Sequence, residues 1–278
     1  FLENNHHFSV LKLNNNGLGI QGGTIVAQAL LRAAEKLRAQ GRQSALRTII
    51  CGRNRLENGS APHWAKAFAA HGGLEEVRMF QNGIRMEGIE EISTKGLAEN
   101  PNLRVLDFQD NTLTLRGSRA IAETLPKWSK LETLNLADSL VRSKGAHLMF
   151  DKLASGSNPQ LKELNLGYCE INRDALGSLA RAIDSGLEHL QTLNVDGNYA
   201  DEEDECIADI KKALEKWGHE DGLQELDDLE PEGEEEDDDE EEEEEEENQE
   251  EASKEGVKSA PLAVPAAAIQ QPAAADTS

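Results

Sequence analysis

Between residues 8 and 200, apolar residues return in a fixed figure, L-x-x-L-x-L-x-x-N-x-L, separated by variable positions. Its seven copies start at Phe8, Leu46, Leu74, Leu103, Leu131, Leu161 and Leu190, at intervals of 38, 28, 29, 28, 30 and 29 residues. The polar slot of the figure holds Asn16, Asn54, Asn82, Asn111, Ser139, Cys169 and Asn198. Alternation across the L-x-L core predicts a short strand whose alternate side chains turn inward. Between the strands, Ala and Leu recur at three-to-four spacing over 24–39, 61–70, 117–125 and 173–183, which predicts helices. A unit this short cannot bury its apolar face alone and does so only against its neighbours.

The expected fold is α/β: a leucine-rich-repeat horseshoe, ribonuclease-inhibitor-like, with 28–30 residue repeats, parallel strands on the concave face and helices on the convex face. The slot asparagine is expected to satisfy backbone groups where the chain turns, which makes Asn16 structural and leaves Asn15 facing outward. The long first interval holds a polar, basic stretch, 36–44, that reads as an insertion. Residues 201–217 suit an amphipathic helix capping the last repeat. The solenoid is therefore expected over 1–218, about seven repeats plus that helix. Phe1 is no initiator and 1–7 is too short to cover the first repeat's apolar flank, so a preceding segment is expected.

Charge separates the two ends. Residues 220–278 carry 25 acidic and two basic residues, net −23, whereas 1–219 is nearly neutral at −2. The run PEGEEEDDDEEEEEEEENQEEASKEG at 231–256 repels itself too strongly to collapse. A disordered acidic tail is expected over 219–278, ending in Ala and Pro, as a solubilising segment or an attractor of basic partners. Cys51, Cys169 and Cys206 have no paired spacing, which argues against disulfides or zinc and for a reducing compartment. Asn58-Gly59-Ser60 matches a glycosylation sequon, but that compartment argues against its use. No apolar stretch approaches a membrane span.

Enzyme readings find little. The histidines show no metal-ligand spacing, and no nucleophile elbow or Walker-type loop occurs. Gly17-Leu18-Gly19 reads as a repeat turn, and Cys51 and Cys169 as buried structure. The variable positions are more informative, because a solenoid's concave face is its usual contact surface. Reading them in register gives one column, Lys12, Ile50, Arg78, Asp107, Asn135, Asn165 and Asn194, between the strand leucines. A second column, Asn15, Arg53, Gln81, Asp110, Asp138, Tyr168 and Gly197, precedes the slot. Early repeats add Arg47 and Arg55 and are basic, whereas the middle ones are acidic, which fits a partner carrying both signs of charge.

The strings NNGLG at 15–19, IICGRNRLENGS at 49–60, QNGIR at 81–85 and LDFQDNT at 106–112 closely resemble the Ran GTPase-activating proteins, particularly their fungal members. The resemblance covers about 1–256, acidic run included. It implies a protein that binds the small GTPase Ran in its GTP form, alone or with a Ran-binding protein, and speeds hydrolysis in support of nucleocytoplasmic transport. It also implies no active site of its own, no cofactor, no metal, no direct nucleic acid, no membrane and a monomer. The implied location is the cytoplasm, extending to the cytoplasmic face of the nuclear envelope. Such activators work on an attacking water oriented by a glutamine of the GTPase. The family is understood to order that glutamine with a repeat-loop asparagine, which in register is Asn15. Lys12, Arg53, Arg55, Arg78, Gln81, Asp107, Asp110 and Asp138 become the implied partner contacts. The family also carries further repeats upstream, one with a functionally important arginine. Competing readings are an acidic leucine-rich nuclear phosphoprotein-like histone or chromatin binder, whose units are shorter, and a generic repeat scaffold. A ribonuclease-inhibitor-like blocker would be richer in cysteine.

Overall fold

The computed structural model describes residues 2–5 and 7–233. Seven strands, β1 (Val10–Lys12), β2 (Thr48–Ile50), β3 (Glu76–Arg78), β4 (Val105–Asp107), β5 (Thr133–Asn135), β6 (Glu163–Asn165) and β7 (Thr192–Asn194), lie side by side in chain order. Every pairing is parallel and joins equivalent positions, as in Leu106↔Leu134 and Leu164↔Leu193. Helices α1 (Gly19–Ala39), α2 (Glu57–His71), α3 (Met86–Lys95), α4 (Thr114–Thr124), α5 (Arg142–Ala154), α6 (Arg173–Gly186) and α7 (Glu205–Lys216) follow the strands one by one. This is leucine-rich-repeat architecture in an open sheet. Strands stack about 4.8 Å apart and helices about 8–10 Å, so stacking both puts the sheet on the inner curve.

The central residue of each strand points into the core, where Ile49, Val77, Leu106, Leu134, Leu164 and Leu193 are buried between sheet and helices. The slot residues form a second continuous column. The side-chain amide of Asn82 donates to the Cys51 and Met79 carbonyls at 2.8 and 2.9 Å, while its oxygen accepts from the Asn54 N–H at 2.9 Å. Asn54, Asn111 and Asn198 repeat this pattern, and the Cys169 thiol takes a reduced part by donating to the Leu136 carbonyl at 3.1 Å. Asn16 departs from the expectation. It is exposed, and its side-chain amide reaches only the neighbouring Asn14 carbonyl at 3.1 Å.

Helices α1, α2 and α4 begin earlier than the apolar spacing suggests, whereas α6 begins at Arg173 as expected, capped by Asn172. The first N–H groups of α1, α2 and α5 are capped by slot carbonyls of the following repeat, as in Gly19 N–H to Asn54 at 2.8 Å and Arg142 N–H to Cys169 at 2.9 Å. The insertion after α1 is pinned by His71, whose Nδ1 lies 2.6 Å from the Ser44 hydroxyl. Burial holds this imidazole neutral and pushes its pKa down to about 4, against about 6.5 when free. Its stabilising contribution is therefore complete above about pH 6.5 and is lost as pH falls toward about 4. Melting temperature should drop between pH 7.5 and 4.5, with up to about 3 kcal/mol attributable to this group. A His71→Asn variant should show a flatter profile, and equal slopes for the two proteins would remove His71 from the account.

At the other end, α7 buries Cys206, Ile207, Ile210 and Leu214 against α6. Order continues past the boundary expected after residue 218. Leu223 bridges Leu193, the Gln224 N–H donates to the Leu193 carbonyl at 2.9 Å, and the Glu230 N–H to that of Asn198 at 2.9 Å. The Tyr168 hydroxyl bonds the Asp228 carboxylate, and Arg173 donates to the Pro231 carbonyl at 2.7 Å. Residues 219–233 thus cover the edge of β7, with Leu223 and Leu226 packed on the core. Of the acidic run expected over 231–256, and of the tail expected over 219–278, everything from 234 onward lies outside the described residues. Among the described residues, no helix is long and apolar enough to cross a membrane.

Candidate functional site

The column before the slot becomes a row of outward-facing residues along one rim of the sheet. Asn15, Arg53, Gln81, Asp110, Asp138 and Tyr168 all adopt left-handed backbone, with φ between 51° and 57°. This conformation reverses the chain after each strand and turns the side chain out while the slot residue turns in. Each N–H in the row donates to a carbonyl of the next repeat, as in Asn15 to Gly52 at 3.1 Å and Arg53 to Phe80 at 3.0 Å. Equivalent residues therefore project from adjacent strands at about the 4.8 Å strand spacing.

Arg53, Arg55, Gln81, Asp110 and Asp138 border a common cleft of about 820 Å3. Among the described residues neither Arg53 nor Arg55 has an ion-pair partner, and both are exposed. Asp110 is partly buried, and that burial, reinforced by the neighbouring Asp138 charge, raises its pKa above the usual carboxylate value. The rim is thus basic at its Arg53 end and acidic at its Asp138 end. Arg55, Leu140, Glu170 and Thr114 also have positive φ, so the loops behind the rim hold strained non-glycine backbone.

The column on the strands themselves is less available. Lys12 is exposed, but Arg78 donates to Glu76 at 2.6 Å and lies 3.4 Å from Asp107. Asp107 was expected to face a partner, yet it is only 5% exposed. Its other oxygen accepts the Gln109 N–H at 3.2 Å and so closes its own turn. Burial raises its pKa, opposed by that N–H and by Arg78. Asn135, Asn165 and Asn194 close the same turn in later repeats. The turn chemistry is legible in the D/N column, though the sequence reading assigned it to binding.

A charge ladder just before the strands was missed. Arg47 faces Glu75 at 3.5 Å, and Glu132 takes Arg104 at 2.6 Å and Lys162 at 3.0 Å. Those two cations hold the Glu132 pKa down to about 2. The signal was alternating sign at the repeat period. The sequon serves packing: Ser60 is buried in α2, and Asn58 bonds Glu87 at 2.7 Å and the Arg85 N–H at 2.8 Å. Cys51 and Cys169 are buried thiols whose pKa is pushed up to about 12, which suppresses the reactive thiolate.

A family profile described as Leucine Rich repeat matches residues 99–122 and 157–180. Over 201 residues the chain is 37% identical to Ran GTPase-activating protein 1 of Saccharomyces cerevisiae, covering 71% of this chain and 49% of that one. The chain is a leucine-rich-repeat homologue of the Ran GTPase-activating proteins. It is also 40% identical over 193 residues to Ran GTPase-activating protein 1 of Xenopus laevis, covering 69% of this chain and 33% of that protein. With the Ran GTPase-activating protein of Drosophila melanogaster it shares 36% identity over 229 residues, 80% of this chain and 37% of the relative. The chain spans about half or less of the length of these relatives.

Proposed function

We propose that this chain binds the small GTPase Ran in its GTP form through the rim row and stimulates GTP hydrolysis, in support of nucleocytoplasmic transport. The observation that carries the reading is the unbroken left-handed row from Asn15 to Asp138, exposed at every position but the partly buried Asp110, together with the likeness to proteins named for this activity. Hydrolysis at a small GTPase needs its own glutamine to hold the attacking water, so an activator can act by ordering that residue. Asn15 is exposed at one end of the row, and its amide can both donate to and accept from a glutamine side chain. In this proposal Asn15 holds the glutamine, while Arg53 and Arg55, exposed and without a close ion pair among the described residues, meet acidic surface of the GTPase. Gln81, Asp110 and Asp138 meet its polar and basic surface, and the chain contributes no active site, metal or cofactor of its own. We place the activity in the cytoplasm, extending to the cytoplasmic face of the nuclear envelope. Three buried, unpaired thiols suit a reducing compartment.

The test is single-turnover hydrolysis of Ran-bound GTP with and without the chain. Acceleration that saturates with chain concentration is expected, and its absence would overturn the proposal. The double substitution Arg53→Glu, Arg55→Glu should weaken association, with most of the loss in the on-rate and reduced at high salt. If hydrolysis within the saturated complex instead fell by about 10³-fold, these arginines would be acting on the transition state.

A further inference from the structure

The loop that presents Asn15 is held differently from the loops of repeats four to seven. In repeats four to seven the residue on the concave column closes its own turn: Asp107, Asn135, Asn165 and Asn194 each accept the N–H two residues on, at 3.2, 3.2, 3.2 and 2.9 Å. The equivalent residue of repeat two is Ile50, which has no oxygen to offer in its side chain. The N–H left over, that of Gly52, is taken across the repeat boundary by the side-chain oxygen of Asn14 at 2.7 Å. Gly52 is buried under the Phe80 ring, and its carbonyl accepts from the Asn54 amide at 2.9 Å. Asn14 therefore ties the first loop to a backbone point of the second that is itself hydrogen-bonded.

Three further bonds complete the frame. Asn54 donates to the Leu13 carbonyl at 2.8 Å and accepts the Asn16 N–H at 2.9 Å, and the Asn15 N–H donates to the Gly52 carbonyl at 3.1 Å. The backbone on both sides of Asn15 is thus held by repeat two, while the Asn15 side chain is left to the solvent. Of the two side chains that make this frame, Asn54 belongs to the buried slot column, but Asn14 is exposed and supports no core packing.

We propose that Asn14 is a positioning residue, whose tie to Gly52 fixes the direction in which Asn15 meets the GTPase. The inference rests on the role assigned to Asn15 above. Losing the tie leaves Leu13 and Asn16 held by Asn54 but removes the one side-chain bond made from within the turn between them, so the turn tips by small amounts and the Asn15 amide spreads over orientations, most of which do not hold the glutamine. A displacement near 1 Å at a positioned group costs up to about 100-fold in rate.

The experiment measures single-turnover hydrolysis of Ran-bound GTP at saturating and limiting chain for wild type, Asn14→Ala, Asn14→Asp and Asn15→Gly, with a thermal melt of each. Asn14→Ala should lower the saturated rate by between about 3-fold and 100-fold. Its affinity for Ran·GTP should stay within about twofold and its melting temperature close to wild type, as expected of an exposed side chain. Asn14→Asp keeps an oxygen acceptor in the same place and should restore most of the rate. A wild-type rate for Asn14→Ala beside a slow Asn15→Gly would overturn the inference and leave the role of Asn15 standing. A rate loss that follows a fall in melting temperature and is not recovered by Asn14→Asp would also overturn it, by making Asn14 merely structural. Wild-type rates for both Asn14→Ala and Asn15→Gly would remove the role of Asn15 itself.

Discussion

Replacing Asn15 by glycine should slow the stimulated hydrolysis of Ran-bound GTP by about 100-fold, the scale on which one preorganised hydrogen-bonding group acts in a transition state. Glycine is the informative substitution because Asn15 sits at φ 57°, a conformation glycine adopts without strain. Alanine would remove the same amide but add about 1 kcal/mol of backbone strain, mixing stability into the result. The Asn15 N–H still bonds the Gly52 carbonyl in either variant, so the loop keeps its path. Arg53, Arg55 and Gln81 remain in place to hold the partner, and affinity should change by less than about threefold. A mutation that lowers the saturated rate and leaves binding alone has removed an interaction made in the transition state. The decisive measurement is the single-turnover rate at saturating chain. An unchanged rate there, with normal association, would leave Asn15 an exposed loop residue and nothing more.

The period of the repeat made the strands, their register and the rim row legible without coordinates. Once Leu106 and Leu134 are known to be equivalent, Asp110 and Asp138 must be neighbours, and a left-handed turn before the slot follows from the reversal of side-chain direction. What failed to show did so because a neighbour supplies it. The start of α1 carries no capping side chain, since Asn54 of the next repeat accepts the Gly19 N–H. Asn16 looks identical to Asn54 in sequence, but a slot asparagine is structural only when it reaches the carbonyls of two adjacent turns, and Asn16 reaches neither. Asp107 reads as a charge on a binding face, whereas the fold spends one of its oxygens on a turn and the other on Arg78. The covering of β7 by 219–233 was hidden by acidic composition, which outweighed the two apolar anchors Leu223 and Leu226 in the sequence reading. Which residues line the rim was legible from the register; their accessibility was not, because it depends on bonds between repeats.

Removing the Asn82 side chain should destabilise the solenoid by about 3–5 kcal/mol, since each buried polar group left without a partner costs about 1–3 kcal/mol. Asn82 is 1% exposed and bonds three backbone groups, the Cys51 and Met79 carbonyls and the Asn54 N–H. Asn82→Ala leaves the Met79 carbonyl with the Asn111 amide at 3.1 Å but takes the side-chain partner from the other two, in a space too dry to replace the bonds cheaply. Asn16→Ala removes an exposed amide with a single local contact and should cost less than about 0.5 kcal/mol, the range of ordinary surface substitutions. The pair separates a ladder effect from a general intolerance of asparagine loss. Asn82→Ser should fall between, because a hydroxyl has a single proton to share between two carbonyls, as Ser139 has at 3.2 Å from both Phe108 and Ala137. For a domain of this size each kcal/mol moves the melting temperature by about 2–4 °C, so Asn82→Ala should melt roughly 10 °C below wild type. Solenoid repeats are stabilised by their nearest neighbours, so a fault at repeat three weakens the coupling of the first two repeats to the rest. Unfolding of Asn82→Ala should accordingly broaden or divide, with amide exchange rising first in α1 and α2 and last in β5 and β6. Equal melting temperatures for the alanine, serine and wild-type proteins would show that the slot column contributes no stability. A lower but still single, sharp transition would keep the energetic role and exclude the loss of coupling.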